Sequence, residues 1–441
     1  VQMWKWLGED FLRDGDLPYT IISPGGLGND PGGKIGIAMA GSGAIETGFI
    51  QRADVAKVLL DNGNAYHCYC TPEELKAMRE KAMAQKKSVR YDGTWRDRDP
   101  TDAPSDIKPV IRFRASTSGE TTIEDAVQGQ ITIANQELDD LIMLRADGSP
   151  TYMLSAVVDD HDMAISHVIR GDDHLTNAFR QTQIFTALGW SLPTYAHIPL
   201  IHGPDGTKMS KRHGALGIET YREKGYLPSA LLNYLSRLGW SHGDDEIFSL
   251  KNAIKWFQLE DINKSAARFD FDKLSNLNGK YIAEAKIETL IQLIQPLLEG
   301  RLQNPPSDII LKRLEAGLRS LKLRAKTIPE LADMSFFYCV ARPIDYDNNA
   351  LKLLTPVAQK TLAQLRAALT NITTWKEETI EIAIKEFATE HKKRLKDIAQ
   401  PLRAALTGSN VSPGIFEVAE NLGREETLGR ITDASKLSNT P

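Results

Sequence analysis

Lys208-Met209-Ser210-Lys211-Arg212 packs three cations and one hydroxyl into five residues, directly after the turn formers Gly203-Pro204-Asp205-Gly206. Two lysines three apart, with a serine between them and an arginine beside, can surround a triphosphate. They can also neutralise the charge that builds on it when the α-phosphate is attacked. The glycines would let such a loop close over ATP and reopen. Taken alone, a lysine cluster is more often a solvated loop; its position behind a strand favours ATP, because nucleotides bind at the C-terminal ends of parallel strands. Three other groups invite chemistry on weaker grounds. Cys68-Tyr69-Cys70 could supply two of the four ligands that zinc takes, or be small packing residues. Asp172-Asp173-His174 sits in a polar turn. Gly26-Leu27-Gly28 is a phosphate-loop candidate only if it lies between a strand and a helix, and no clear strand precedes it, so a loop reading is preferred.

These residues need elements to hold them. The apolar positions Ala53, Val58, Leu59 and Leu60 read as a helix stopping before Asn62-Gly63, and Tyr66 to Cys70 as a strand. Thr71-Pro72-Glu73-Glu74 is a helix start with an N-cap, proline at the first position and a capping box; the helix should run to about Lys87. Val110 to Arg114 alternates like a half-buried strand in a mixed module reaching about Leu144. Beyond it come a strand at Ile165 to Ile169, a helix from Thr176 to Leu188 stopped by Gly189, and a strand at Ala196 to His202. That order and spacing predict a βαβ crossover in a parallel sheet. After residue 215 the pattern is helical: Leu231, Leu235 and Leu238 recur on one face. Thr374-Trp375-Lys376-Glu377 reads as a capping box, with Ile380, Ile384 and Phe387 as the stripe of the helix it starts, and a further helix ends at Gly408.

With 441 residues, 41% hydrophobic and 25% charged, the chain can bury sizeable cores and should divide into about three units of ~150 residues. No run approaches the ~20 apolar residues of a membrane span, and Val1-Gln2-Met3-Trp4-Lys5-Trp6 shows no secretion signal pattern. A cytoplasmic protein without membrane attachment is expected. The three cysteines include a pair too close for ordinary bridging, which fits a reducing compartment. A net charge of -5 argues against indiscriminate coating of nucleic acid and leaves room for a local basic face.

The 208–212 string resembles the KMSKS-type motif of class I aminoacyl-tRNA synthetases. Its neighbours, in the same order, are similar to bacterial glutamyl-tRNA synthetases: Pro150-Thr151-Tyr152, Val157-Val158-Asp159-Asp160, Val168 to His174, Phe271-Asp272-Lys273-Leu274, Asn278-Gly279-Lys280-Tyr281-Ile282 and Gln400 to Gly408. The likeness runs from about residue 50 to the C-terminus. It implies an α/β fold: a Rossmann-like parallel-sheet catalytic domain with an inserted α+β acceptor-binding module, then an all-α anticodon-binding region. Relatives of the glutaminyl and archaeal-eukaryotic type carry β-barrels there, which the helical pattern disfavours. The implied boundaries are 1–69 (1–45 unassigned), 70–147 for the inserted module, 148–215 with the basic loop, 216–290 for a stem-contact region and 291–441 for anticodon binding.

Carried over position by position, the resemblance makes Lys208, Ser210 and Lys211 catalytic. It places ATP against Lys208, Met209, Ser210, Lys211 and Arg212 together with Leu200, Ile201 and Asp173. Arg170 would grip a glutamate carboxylate bidentately and Tyr152 would offer its hydroxyl to the same ligand; without the resemblance, Arg170 reads equally as a surface partner of Asp172 or Asp173, and Tyr152 as a core aromatic. Asp172, His174 and Arg403 are expected to touch tRNA. ATP with Mg2+, L-glutamate and tRNA(Glu) are the implied cofactors and partners of a monomer. Some relatives complete a zinc site with a Cys-x-His pair ~25 residues after the first pair; the matching positions here are Trp95 and Asp97, so zinc is not expected. Residues 1–50 match neither the family's HIGH-type signature nor its acidic stretch. The expectation is therefore tRNA binding with little or no glutamyl-adenylate from these 441 residues. Two rivals stay open: a tRNA-binding protein without synthetase activity, and another nucleotidyltransferase, which would turn over ATP without tRNA.

Overall fold

The computed structural model describes residues 52–86, 88–209, 217–302 and 305–437. The expectations placed on residues 1–50, including Gly26-Leu27-Gly28, lie outside them, as do Ser210, Lys211 and Arg212. Two compact units are formed, one of Val1–Met209, Leu238–Asp244 and Lys255–Arg268, the other of Ser210–Arg237, Asp245–Ile254 and Phe269–Pro441. Among the described residues no helix is long and apolar enough to cross a membrane.

The first unit begins with α1 (Arg52–Asp61), which buries Val55, Ala56 and Leu59 on one face, then β1 (Ala65–Cys68) and α2 (Pro72–Ala84). The capping box at α2 forms as its sequence requires: Thr71 Oγ1 accepts from the Glu74 N–H at 3.1 Å and Glu74 Oε2 from the Thr71 N–H at 2.8 Å. Four more strands precede α3 (Tyr152–Asp162): β2 (Val110–Phe113), β3 (Glu120–Asp125), β4 (Gly129–Ala134) and β5 (Ile142–Leu144). The expected crossover follows as β6 (His167–Gly171), α4 (Leu175–Leu188) and β7 (Thr194–Ile198), with Gly189 ending α4 at φ 67°. β6 and β7 pair in parallel with Arg170 opposite His197.

Two sheets result, an antiparallel β1-β2-β5 and a mixed β4-β3-β7-β6. β3 and β4, which the sequence places in the inserted module, thus extend the sheet of β6 and β7, with Asp125 paired to Tyr195. Helix α4 packs on both sheets' cores: Ala178 and Phe179 meet Ile123 and Tyr195, while Ile184 and Phe185 join Val55, Leu59, Phe113, Met143 and Leu154. The last strand is shorter than expected, ending at Ile198 instead of His202. Pro199 follows and has no N–H for the ladder; His202 makes only isolated bridges to Lys208 and Arg268.

The second unit is helical. Its core gathers Ile282, Leu290, Ile294, Leu314, Leu318, Leu331 and others through to Ala434, including the expected Ile380 and Ile384, both 0% exposed. Two local readings change. In the helix Pro228–Gly239 the buried positions are Ala230, Leu231, Asn233 and Tyr234, while Leu235 is exposed. The polar pair goes inside because both side chains are satisfied: Asn233 takes bonds from the Phe248 N–H and the Tyr281 hydroxyl, and Tyr234 bonds Asp270. The later helix begins at Glu377, not at Trp375. Thr379, not Thr374, makes the cap, its Oγ1 accepting from the Lys376 N–H at 3.2 Å and donating to the Thr374 carbonyl at 2.6 Å.

Candidate active site

β6 and β7 end side by side, and Arg170, Asp172, Asp173 and His174 lie at that end of β6. Parallel register sets Arg170 beside His197 on one face of the sheet, and Tyr195, two residues back on β7, shares that face. The Arg170 guanidinium donates from Nε to His197 Nε2 at 3.1 Å and from Nη2 to Gln181 Oε1 at 2.9 Å and to the His174 carbonyl at 3.3 Å. Its carbon stands 5.6 Å from the Tyr195 ring centre. The surface pairing of Arg170 with Asp172 or Asp173 does not form; among the described residues Nη1 has no partner. Tyr152 opens α3 and is 56% exposed, so it is not a core aromatic. Burial pushes the Tyr195 hydroxyl up to about 12, against the Arg170 charge and a contact with Thr182, and Gln181 Nε2 is buried without a partner among the described residues.

His197 and Asp125 were not found from the sequence. His197 is 0% exposed, its Nδ1 lies 2.6 Å from Asp125 Oδ2, and its backbone N–H also reaches that carboxylate at 3.1 Å. Asp125 accepts further bonds from the Val127 and Gln128 N–H groups at 3.0 and 2.9 Å. Burial pushes its carboxyl up, but these hydrogen bonds outweigh it and hold the group below the usual carboxylate range. Asp160 is the opposite case: burial raises it to about 6, the Arg170 charge offsets part of this, and Asp159 adds to it.

Beyond β7, Gly203 to Lys208 forms a tight hairpin. The Gly203 N–H bonds the Thr207 carbonyl at 2.9 Å, Gly206 takes φ 78°, and the Met209 N–H bonds the Ile201 carbonyl at 3.0 Å. Lys208 Nζ reaches Asp173 Oδ2 at 2.7 Å, and this bond holds the exposed Asp173 carboxyl below its usual range. Leu200 approaches Gly171 closely enough that a Cβ there would lie 3.4 Å from its side chain. Leu200, Ile201, Lys208, Met209 and Asp173 are thus brought together. Asp172 and His174 form the short turn into α4, where His174 Nδ1 meets Asn177 Nδ2 at 3.2 Å.

Cys68 and Cys70 belong to a packed cluster with Tyr66 and Trp95. Tyr91 Oη lies 3.5 Å from Cys68 Sγ, Arg112 Nε donates to that sulfur at 3.3 Å, and burial pushes the Cys70 thiol up to about 12. Trp95 is 3% exposed, its ring centre 5.0 Å from that of Tyr69 with the two planes tilted by 55°. In the helical unit, Arg403 Nε donates to Ser412 Oγ at 2.9 Å and Arg324 Nη1 to the Ser412 carbonyl at 3.3 Å. Burial, then the Arg324 charge, lowers the Arg403 pKa, so the two guanidiniums converge on one loop.

Residues 48–276 match the family model for the catalytic domain of class I tRNA synthetases (E and Q), and residues 289–435 match an anticodon binding domain. A model for NAD(P)H binding matches residues 1–64. The chain is 55% identical to the glutamate–tRNA ligase of Bradyrhizobium diazoefficiens, covering 87% of this chain and 82% of that one. It is 54% identical to glutamate–tRNA ligase 2 of Paramagnetospirillum magneticum, over 87% and 81%. Among solved structures it is similar to a glutamate tRNA ligase from Elizabethkingia meningosepticum in complex with its amino acid, with TM-score 0.75, 28% identity and coverage of 87% and 82%.

Proposed function

The chain belongs to the class I synthetases of the glutamate and glutamine type, among the glutamate–tRNA ligases, and on that premise we propose how its residues share the work. The reaction is ATP-dependent: a glutamate carboxylate attacks the α-phosphate to give glutamyl-adenylate and pyrophosphate, and the terminal adenosine of tRNA then takes the glutamyl group and releases AMP. No protein nucleophile is needed, so the gain comes from positioning and charge stabilisation.

Arg170 holds a carboxylate of glutamate, and Tyr152 adds its hydroxyl. The observation that carries this is a guanidinium fixed on one side by His197 and Gln181, with Nη1 left over. A bidentate grip would use Nη1 together with Nη2, whose bonds run to Gln181 at 2.9 Å and, longer, to the His174 carbonyl at 3.3 Å. Lys208 with Met209, Leu200, Ile201 and Asp173 forms one wall for ATP; Ser210, Lys211 and Arg212, next in the sequence, supply the hydroxyl and the further charge of the motif. Magnesium would arrive on the ATP phosphates, in keeping with its preference for phosphates plus one or two carboxylates. The 70–147 module takes the acceptor end near Asp172 and His174, the 216–290 region the stem, and the helices beyond 290, with Arg403, the anticodon of tRNA(Glu), where unstacked bases expose their edges. The working form is a cytoplasmic monomer.

The test is aminoacylation of tRNA(Glu) with labelled glutamate. The full chain charges it, and Arg170→Ala lowers kcat/KM for glutamate by about 100-fold, the scale of losing a charge-assisted contact. An unchanged ratio in Arg170→Ala removes Arg170 from the site. Binding of tRNA without charging by the parent chain would overturn the activity and uphold the expectation drawn from residues 1–50.

A further inference from the structure

Asp125, His197 and Arg170 form one chain of hydrogen bonds inside the first unit, and only its last member faces outward. A histidine has two ring nitrogens, and the proton in the neutral ring sits wherever its partner accepts it. Here Nδ1 faces a carboxylate at 2.6 Å and Nε2 faces an N–H donor, Arg170 Nε, at 3.1 Å. Both contacts are satisfied by one arrangement: neutral imidazole, proton on Nδ1, lone pair on Nε2. Asp125 is in turn fixed by backbone, since Oδ1 accepts from the Val127 and Gln128 N–H groups, and the Gln128 side chain bonds the His197 carbonyl at 3.0 Å. A histidine serving the core alone would not hold an arginine with its second nitrogen.

We propose that Asp125 and His197 are positioning residues for substrate binding, Asp125 locking the ring proton on Nδ1 so that Nε2 holds the Arg170 guanidinium in the plane that receives glutamate. This rests on the reading of Arg170 as the carboxylate ligand. The sign of the effect can be derived for Asp125→Asn. The Val127 and Gln128 N–H groups demand an oxygen at Oδ1, which turns the new amide NH2 toward His197 Nδ1. The ring must then accept there and carry its proton on Nε2, where it meets the Arg170 N–H donor to donor. The guanidinium loses its anchor although every side chain keeps its size, which is the logic of tautomer control by a buried aspartate.

The experiment titrates L-glutamate calorimetrically into the full-length chain and into Arg170→Ala, Asp125→Asn, His197→Gln and His197→Leu, with melting curves for each. Arg170→Ala removes detectable binding. Asp125→Asn and His197→Leu weaken it by about 10- to 100-fold, the range for a lost hydrogen bond to a charged group. His197→Gln, whose amide oxygen can stand at the Nε2 position, stays within about 3-fold of the parent, on the same scale. Ring 15N spectra of the parent show His197 protonated on Nδ1, and those of Asp125→Asn on Nε2. Folded Asp125→Asn and His197→Leu variants with parental affinity, or a parent ring protonated on Nε2, would overturn the proposal while leaving Arg170 in place. Parental affinity in Arg170→Ala would instead bring down the underlying site.

Discussion

Asp160 and Asp125 respond to burial in opposite ways, and the difference is measurable. Asp125 gathers enough N–H donors to stay below the ordinary carboxylate range; its contribution to stability is present above the unfolded pKa and lost as pH falls through the lower folded value. Asp160 has no such shell and rises to about 6. With the folded pKa above the unfolded one, the native state binds more protons between the two, so stability is highest below about 4 and declines as pH climbs to 6. Asp160→Asn, which cannot ionise, should melt higher than the parent at pH 7.5, with the gap closing near pH 4. An equal gap at both values would show that the carboxyl is not desolvated. Lys208, Tyr152 and Arg170 could be singled out because each sits in a short string that carries its own meaning. His197 and Asp125 were not: their contact spans 72 positions, and nothing local to either announces the other.

Elements were legible where their ends are written in the chain. The Thr71 capping box, the Gly189 and Gly408 stops and the β6-α4-β7 crossover all formed, because caps and left-handed glycines act within one turn. Where tertiary packing decides, the pattern misled: Leu235 lies outside because Asn233 and Tyr234 found partners inside. Gly317 makes a comparable contest testable. It lies in the helix Asp308–Leu321, where alanine would be favoured over glycine by about 1 kcal/mol. A Cβ there would stand 2.2 Å from Cε2 of Tyr338, a ring that is 0% exposed, and overpacking of that kind costs about 1–3 kcal/mol. Packing should win, so Gly317→Ala lowers the denaturation midpoint without changing the slope. A midpoint at or above the parent's would mean that the Tyr338 ring yields more cheaply than its burial suggests.

Across the whole chain, the cores are separable. Every fully packed member of the helical core lies between Ile282 and Ala434, almost the stretch that matches the anticodon binding domain, 289–435. A fragment of residues 269–441 keeps all of them. Among the bonds it gives up, Asn278, 0% exposed, accepts from the Leu227 N–H at 2.7 Å and donates to the Gly225 carbonyl at 3.2 Å. Lost with them, the Tyr281 hydroxyl bonds Asn233 and the Phe248 carbonyl, the Asp270 backbone bonds the Tyr234 hydroxyl, and the Ile328 N–H bonds the Gly225 carbonyl. The Asn278 bond to the Lys326 carbonyl at 2.6 Å stays. Cutting the chain lets water replace the lost partners, so the cost is near the net value of a hydrogen bond, about 0.5–1.5 kcal/mol each. A single buried leucine contributes about 1.5–3 kcal/mol, and the fragment retains many. It should therefore unfold in one cooperative transition and bind tRNA(Glu) with an affinity that falls as salt rises, the outcome expected if the Arg324 and Arg403 guanidiniums, which converge on the Ser412 loop, are to meet phosphate charge as proposed. Changing the anticodon should weaken that binding, and no charging should occur, because Arg170 and the basic loop are absent. A fragment without a cooperative transition would show that its core needs residues before 269, and binding indifferent to the anticodon would remove the helices beyond 290 from sequence reading.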